Sequence, residues 1–253
     1  MSTTRTLTRA ARLILIGPPG CGKGTQTQRI LNTFPQISAL SAGDLLRENV
    51  RLRTPLGIRA ESVLREGRLL PDDTVTSLII SELATRGWIA GPGGEALAAG
   101  VVLGDRKASV SDDPASSFLL DGFPRTRGQA EGLSASGVSI NLAVQIDMPD
   151  RFILERFKDR MVHPASGRSY NLSWKNPPPK DADGNYLDEV TGEKLVKRDD
   201  DKEETVMRRL DTYKRNVEPL LEYYGRDGVL VTITGSESDK ITPEIFRVMD
   251  RFA

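Results

Sequence analysis

The stretch Leu13-Ile14-Leu15-Ile16-Gly17-Pro18-Pro19-Gly20-Cys21-Gly22-Lys23-Gly24-Thr25 decides the fold of this 253-residue chain. Four apolar residues without polar alternation predict a strand buried on both faces. Ile30, Leu31 and Phe34, spaced by polar residues beyond the glycines, predict a helix. A glycine turn between such a strand and helix gathers backbone N–H groups on one anion. The helix N-terminus adds partial positive charge, and Lys23 adds a mobile full charge. The pattern is that of a loop holding a nucleotide's phosphates, G-x-x-x-x-G-K. Gly24 stands where a magnesium-binding hydroxyl is usual, and the hydroxyl comes one place later at Thr25. The loop alone does not separate a kinase from a hydrolase.

Composition narrows the class. With 38% apolar and 28% charged residues, the chain is long enough for one substantial core with insertions. Lys plus Arg and Asp plus Glu each number 35, so no bulk field favours nucleic acid or an anionic membrane, and any work done by cations is local. The single cysteine excludes an internal disulfide and a cysteine-built zinc cage, which suits a reducing compartment. No apolar run approaches the roughly 20 residues of a membrane helix. Residues 1–12 hold Arg5, Arg9 and Arg12 among four threonines and a serine, and the first acidic residue is Asp44. Such a start has the composition of a mitochondrial transit segment, and equally of a flexible tail.

Strands and helices then alternate. Residues 38–40 predict a second strand, and the segment from Gly43 a helix with Leu45, Leu46 and Val50 on one side. Residues 55–66 predict another helix, opened by Pro55 and closed by Gly67. Pro71-Asp72-Asp73 starts a further helix with Val75, Leu78, Ile79 and Leu83 as its buried stripe. Residues 90–116, rich in small and polar residues and broken by prolines, predict a surface loop with a short strand at 101–103 and no chemistry. Phe118-Leu119-Leu120-Asp121 is a buried strand ending in a carboxylate. Parallel strands turn their C-terminal ends to the ligand crevice, so Asp121 is expected beside the first loop, holding magnesium directly or through water. The plainer alternative is a cap on the next turn. Arg125, just beyond, is placed to grip a second phosphate.

Residues 142–147 predict a strand and 150–161 a helix, with Phe152, Ile153 and Phe157 buried and Arg156 and Arg160 sharing a face. Residues 162–197 predict a small β-rich excursion without a core of its own. Within it His163 and Ser166, then Asp188 and Thr191, form two spaced pairs; Ser and Thr are poor zinc ligands, so a polar network is expected and no zinc. Asp201 and Glu204 resemble a capping box at the head of a long helix whose stripe is Val206, Leu210, Tyr213, Val217, Leu220 and Tyr224. Arg209 lies beside that stripe and looks inward. A last strand at 229–233 and a last helix at 243–252, burying Ile245, Val248, Met249 and Phe252, complete a layered α/β chain.

Together and in order, several motifs carry a resemblance. They are the first loop through Gln26, Ser41-Ala42-Gly43-Asp44-Leu45-Leu46-Arg47, Gly67-Arg68-Leu69-Leu70-Pro71-Asp72, Asp121-Gly122-Phe123-Pro124-Arg125-Thr126 with Gln129, the segment His163 to Tyr170, and the run Arg198 to Arg209. From about Arg12 to the C-terminus the chain resembles an adenylate kinase of the long-lid type. Within that family, the His163 segment and Phe34-Pro35-Gln36-Ile37-Ser38 are most similar to fungal mitochondrial GTP:AMP phosphotransferases.

The resemblance implies an α/β fold of the P-loop NTPase kind: a parallel five-stranded sheet flanked by helices, a helical NMP-binding insertion and a small β-rich lid insertion. The implied divisions are a tail at 1–11, a core at 12–40, 72–158 and 202–253, an NMP-binding part at 41–71 and a lid at 159–201. The implied activity is reversible phosphoryl transfer from a nucleoside triphosphate, GTP favoured over ATP or ITP, to AMP, in a monomer of the mitochondrial matrix or else the cytoplasm. Gly20, Cys21, Gly22, Lys23, Gly24 and Thr25 would hold the donor's phosphates, with Arg160, Ser169 and Tyr170 reaching it from the lid and Ser238 touching its base through backbone. Ala42, Arg47, Arg68, Leu69, Leu70, Gly122, Phe123, Pro124, Arg125 and Gln129 would hold AMP. Arg198 and Arg209 would grip the phosphates between the two nucleotides, and Asp121 would hold Mg2+ through water.

Ala42 departs from the hydroxyl residue usual there, Arg68 from a common lysine, and the 90–116 stretch is longer than the family's norm. A P-loop hydrolase or GTPase switch would carry an Asn-Lys-x-Asp segment, and none is present. A non-catalytic nucleotide-binding protein would most simply lack one of Lys23, Arg47, Arg125, Arg160, Arg198 and Arg209, and all six are present.

Overall fold

The sheet forms where the sequence is most apolar. In the computed structural model, which describes residues 4–91, 107–173, 177–198 and 201–253, β1 (Arg12–Ile16) is the central strand of five. It is flanked by β3 (Phe118–Asp121) and β4 (Leu142–Asp147), with β2 (Ser38–Ser41) outside β3 and β7 (Leu230–Thr234) outside β4. All four pairings are parallel, and Ile14 lies between Leu120 and Ala143. Successive side chains leave a strand on opposite faces. Ile14, Ile16, Leu120 and Ala143 therefore enter one core, and Leu13, Leu15, Leu119 and Val144 enter another. A sheet covered on both sides has no use for polar alternation, which is why these strands read as unbroken apolar runs.

The helices cover those two faces. α4 (Asp72–Thr85) and α5 (Arg127–Ala135) supply Val75, Ile79, Leu83, Ala130 and Leu133 to the first core. α1 (Lys23–Thr33), α6 (Asp150–Lys158) and α8 (Ser238–Met249) supply Ile30, Ile153, Phe157, Ile241 and Ile245 to the second. The long α7 (Glu203–Arg226) serves both, giving Leu220 and Tyr224 to one and Val206 and Leu210 to the other. Two excursions leave the sheet. Between β2 and α4 run α2 (Ala42–Arg51) and α3 (Pro55–Arg65), whose caps Ser41 and Thr54 accept from Asp44 N at 3.2 Å and Gly57 N at 3.0 Å. Between α6 and α7, β5 (Arg160–Val162) pairs antiparallel with β6 (Ser169–Asn171).

Several boundaries depart from the sequence-based expectation. The helix predicted to reach Met161 stops at Lys158, because Arg160, Met161 and Val162 join β6 and Val162 N donates to Val196 O at 2.8 Å. Arg156 and Arg160 therefore do not share a helix face. The last helix begins at Ser238 and takes Pro243 into its interior, and Phe252 belongs to a short 3-10 turn after it. Leu78, Tyr213, Val217 and Val248 are half-buried, while Thr76, Ile80 and Ala84 are buried in α4 beside the predicted Val75, Ile79 and Leu83. The strand expected at 101–103 lies outside the described residues.

The N-terminal segment is packed rather than free. Leu7, Ala10 and Ala11 are buried, Thr8 N donates to Phe252 O at 2.7 Å, and Arg5 pairs with Asp250 at 2.5 Å. Of the two readings of this start, the flexible tail does not describe residues 5–11: Thr8 and Arg9 bond to the C-terminal turn, and Ala10 N and Ala11 N donate to Asp112 O at 2.9 Å and Ser117 Oγ at 3.0 Å. Among the described residues no helix is long and apolar enough to cross a membrane.

Candidate active site

Because every pairing in the five-stranded sheet is parallel, β1, β2 and β3 end together at Ile16, Ser41 and Asp121, and a cleft of about 1210 Å³ opens there. The loop after β1 forms its floor. Gly20 and Gly22 adopt φ of 78° and 102°, a region that side chains disfavour. No side chain caps α1, so its first N–H groups are available to an anion. Lys23 Nζ donates to Gly17 O at 2.8 Å and Pro18 O at 2.9 Å.

Six predicted cations come to this cleft from five places. Lys23 stands at the start of α1, Arg47 on α2, Arg125 after β3, Arg160 on β5, and Arg198 and Arg209 before and on α7; all line the same cavity. Arg125 is set by its surroundings: Nε donates to Gly122 O at 2.7 Å, and its backbone N donates to Gln129 Oε1 at 2.7 Å. Arg47 pairs with Asp44, and Arg160 with Asp201 through two bonds. The stem of Arg209 passes Gly67, where a Cβ would lie 2.9 Å from Arg209 Cγ.

Two carboxylates respond to this charge in opposite ways. Burial pushes the Asp121 carboxyl up, against the pull of Lys23 and Arg125. Burial also raises Asp44, but Arg47, the Ser41 hydroxyl and Arg198 outweigh it and leave its pKa below the usual value. The two excursions approach one another at this point, since a Cβ on Gly167 would lie 3.6 Å from Asp44 Oδ2.

Other expected site residues divide between cleft and interior. Gly20, Gly22, Gly24, Thr25, Leu69, Gly122, Pro124, Ser169 and Tyr170 line the cavity with the cations. Cys21, Ala42, Leu70, Phe123 and Gln129 are buried and do not line it. Arg68 turns outward to Glu66 at 2.7 Å. Ser238 does not line the cleft: its carbonyl accepts from Gln26 Nε2 at 3.1 Å and Thr242 Oγ1 at 2.8 Å.

The polar network expected in the β-rich excursion is present. His163 Nδ1 lies 2.7 Å from Ser166 Oγ, and Thr191 Oγ1 donates to Asp188 Oδ2 at 2.9 Å. Sequence reasoning missed its other members. Arg168 Nη2 donates to Asp188 Oδ2 at 2.6 Å, Tyr170 OH to Asp188 Oδ1 at 2.7 Å, and Glu193 Oε2 lies 2.6 Å from His163 Nε2. Arg168, then burial working against it, then Tyr170 and Thr191 leave Asp188 well below the ordinary carboxylate range.

Two further readings change. Asp201 does not cap α7, whose cap position is Lys202, but is spent on Arg160. Arg156 enters the site on its own account: Nη1 donates to Gly20 O at 3.1 Å and Nη2 to Ser236 O at 2.7 Å, tying the glycine loop to the turn before α8. Its spacing from Arg160 was visible in sequence, but those two carbonyl partners were not.

The sequence matches known proteins along almost all of its length. The adenylate kinase family profile matches residues 15–90 and 94–229. The chain is similar to a Saccharomyces cerevisiae protein named mitochondrial GTP:AMP phosphotransferase, with 40% identity over 247 residues, 96% of this chain and 94% of the relative. A second sequence of that name, from a Saccharomyces cerevisiae strain, is 41% identical over 239 residues, 93% of this chain and 94% of the relative.

Proposed function

The chain belongs to the adenylate kinase family and is a nucleoside monophosphate phosphotransferase; from that premise we propose that it passes the terminal phosphoryl group of GTP to AMP, yielding GDP and ADP, inside the mitochondrion. The donor and the compartment rest on what the yeast relatives are named. The observation that carries the chemistry is the convergence of Lys23, Arg47, Arg125, Arg160, Arg198 and Arg209 on one cleft.

Phosphoryl transfer asks for alignment and neutralised oxygens more than for a base, and the phosphate of AMP arrives already ionised. On this reading the loop from Gly20 to Thr25 cradles the donor's phosphates, and Arg47 and Arg125 hold the acceptor's. Arg160, Arg198 and Arg209 surround the group in transit. Residues 41–71 act as the AMP-binding part, and 159–201 act as a lid that brings Arg160, Ser169 and Tyr170 over the donor. Fixed cations in a pocket shut to water act more strongly than in solvent and deny water its role as competing acceptor.

The oxygen donors beside Lys23 fit Mg2+. Asp121 and Thr25 line the cleft as one carboxylate and one hydroxyl, a sparse hard set suited to an ion that keeps several waters and shares phosphate oxygens. When bound, the ion adds positive charge at the phosphates. Asp121 and Thr25 would hold it, through its waters.

Initial rates with AMP and each of GTP, ATP and ITP test the donor. GTP is expected to be fastest, and a faster ATP rate would replace it. Faster turnover of UMP or GMP than of AMP would refute the acceptor.

A further inference from the structure

Phe157, the penultimate residue of α6, is 5% exposed and reaches the edge of the cleft. Three parts of the site meet at its ring. Gly20 lies so close that a Cβ there would be 2.5 Å from Phe157 Cε2. The guanidinium carbon of Arg160 is 4.3 Å from the ring centroid, and that of Arg209 is 5.9 Å from it. Arg160 comes from β5 and Arg209 from α7, 49 positions further on. The ring touches both of them and the glycine loop.

Two guanidinium groups aimed at one anion repel each other before the anion arrives. Asp201 already pairs with Arg160; an aromatic face attracts cations through its quadrupole and carries no net charge, so it adds a hold on both groups without cancelling any further charge. The same ring, wedged against Gly20, sets their distance from the phosphate loop.

We infer that Phe157 is a positioning residue for phosphoryl transfer, its ring fixing Arg160 and Arg209 relative to the Gly20 turn. The inference rests on the reading of those arginines as phosphate grips. The bland alternative is that Phe157 only fills volume, since Ile153, Val206 and Leu210 belong to the same core. The two differ in one respect: packing depends on the ring's size, whereas positioning depends on the electrons of its face.

The test replaces Phe157 in the full-length protein by phenylalanine analogues with one, two and three ring fluorines, which drain the face at nearly constant size. The expected result is a stepwise fall in kcat reaching about fivefold at three fluorines, the scale of a partly desolvated cation–π contact. Melting temperature should stay level and KM for AMP should stay within about twofold, since the groups are bound but less well aligned. Phe157→Leu, which keeps bulk but has no π face, should fall at least as far. A flat kcat across the fluorine series, with or without a loss in Phe157→Leu, overturns the inference and leaves packing as the residue's whole role. Absence of AMP phosphorylation by the unsubstituted protein would instead overturn the functional reading itself.

Discussion

Arg160 Nε donates to Asp201 Oδ2 across 2.8 Å, so one guanidinium and one carboxylate join the two ends of the β-rich excursion. Their side chains are 15% and 5% exposed, which takes the pair out of the class of surface bridges that contribute little. Removing one partner of such a pair strands the other charge. Asp201→Asn is expected to lower kcat by about tenfold to a hundredfold, since a misplacement of about 1 Å in a phosphate-binding group costs on that order. Steady-state kinetics at saturating AMP and donor check it, and unchanged kcat would separate Arg160 from the reaction.

Arg125 is held from behind by Gly122 O and lines the cleft, so its truncation should cost turnover rather than fold. Arg125→Ala is expected to lose about a hundredfold to a thousandfold in kcat, the scale on which a preorganised donor stabilises charge in the transition state. Its melting temperature should remain that of the parent. Near-normal turnover would refute its contact with the reacting phosphates.

Acid should loosen the β-rich excursion first. Asp188 has a folded pKa depressed by Arg168, Tyr170 and Thr191, so its stabilisation is fully present above the unfolded carboxylate value of about 3.9 and is lost as pH falls below it. Hydrogen exchange of the β5 and β6 amides should therefore accelerate at about pH 3 relative to pH 6, after correction for intrinsic rates, while exchange in β1 lags behind. Asp188→Asn should show fast exchange in β5 and β6 already at neutral pH. Equal protection of β5 and β1 in that variant would count against the network as the excursion's support.

The legible parts of this protein are those fixed by neighbours in sequence. The apolar run of β1, the glycines after it and the helix that follows all sit within 22 residues, from Arg12 to Thr33, and each is set by the pattern of its own residues. The parts misread depend on distant partners. Asp201 carries a local capping pattern, yet its partner is 41 positions away. Arg160 continues the pattern of α6, but pairing with β6 pulls it into a strand. Arg156 acts through carbonyls at Gly20 and Ser236, which no spacing on a helix announces. The cations were brought together chiefly by the family resemblance of the motifs that carry them, whereas Phe157 was read as plain core because the face it presents to two arginines has no signature in sequence.

The N-terminal segment offers the sharpest contrast between composition and contact. Its arginines and threonines read as a leader or a loose tail, yet Leu7 is 2% exposed and its neighbour Thr8 bonds to Phe252. Arg5 and Arg9 lie over the rings of Phe246 and Phe252, 5.6 Å and 5.1 Å from their centroids, so the segment also shields the C-terminal helix and turn. Leu7→Ala should cost about 2–5 kcal/mol, the range for emptying a buried leucine site that relaxes only in part. Deleting residues 1–9 removes Leu7 and both arginine contacts, so it should destabilise at least as much while leaving the distant phosphate loop its chemistry. Urea unfolding of the two variants, read as a change in midpoint at constant slope, measures this directly. If the deletion left the midpoint where it was, residues 5–9 would be the dispensable tail that their composition suggests.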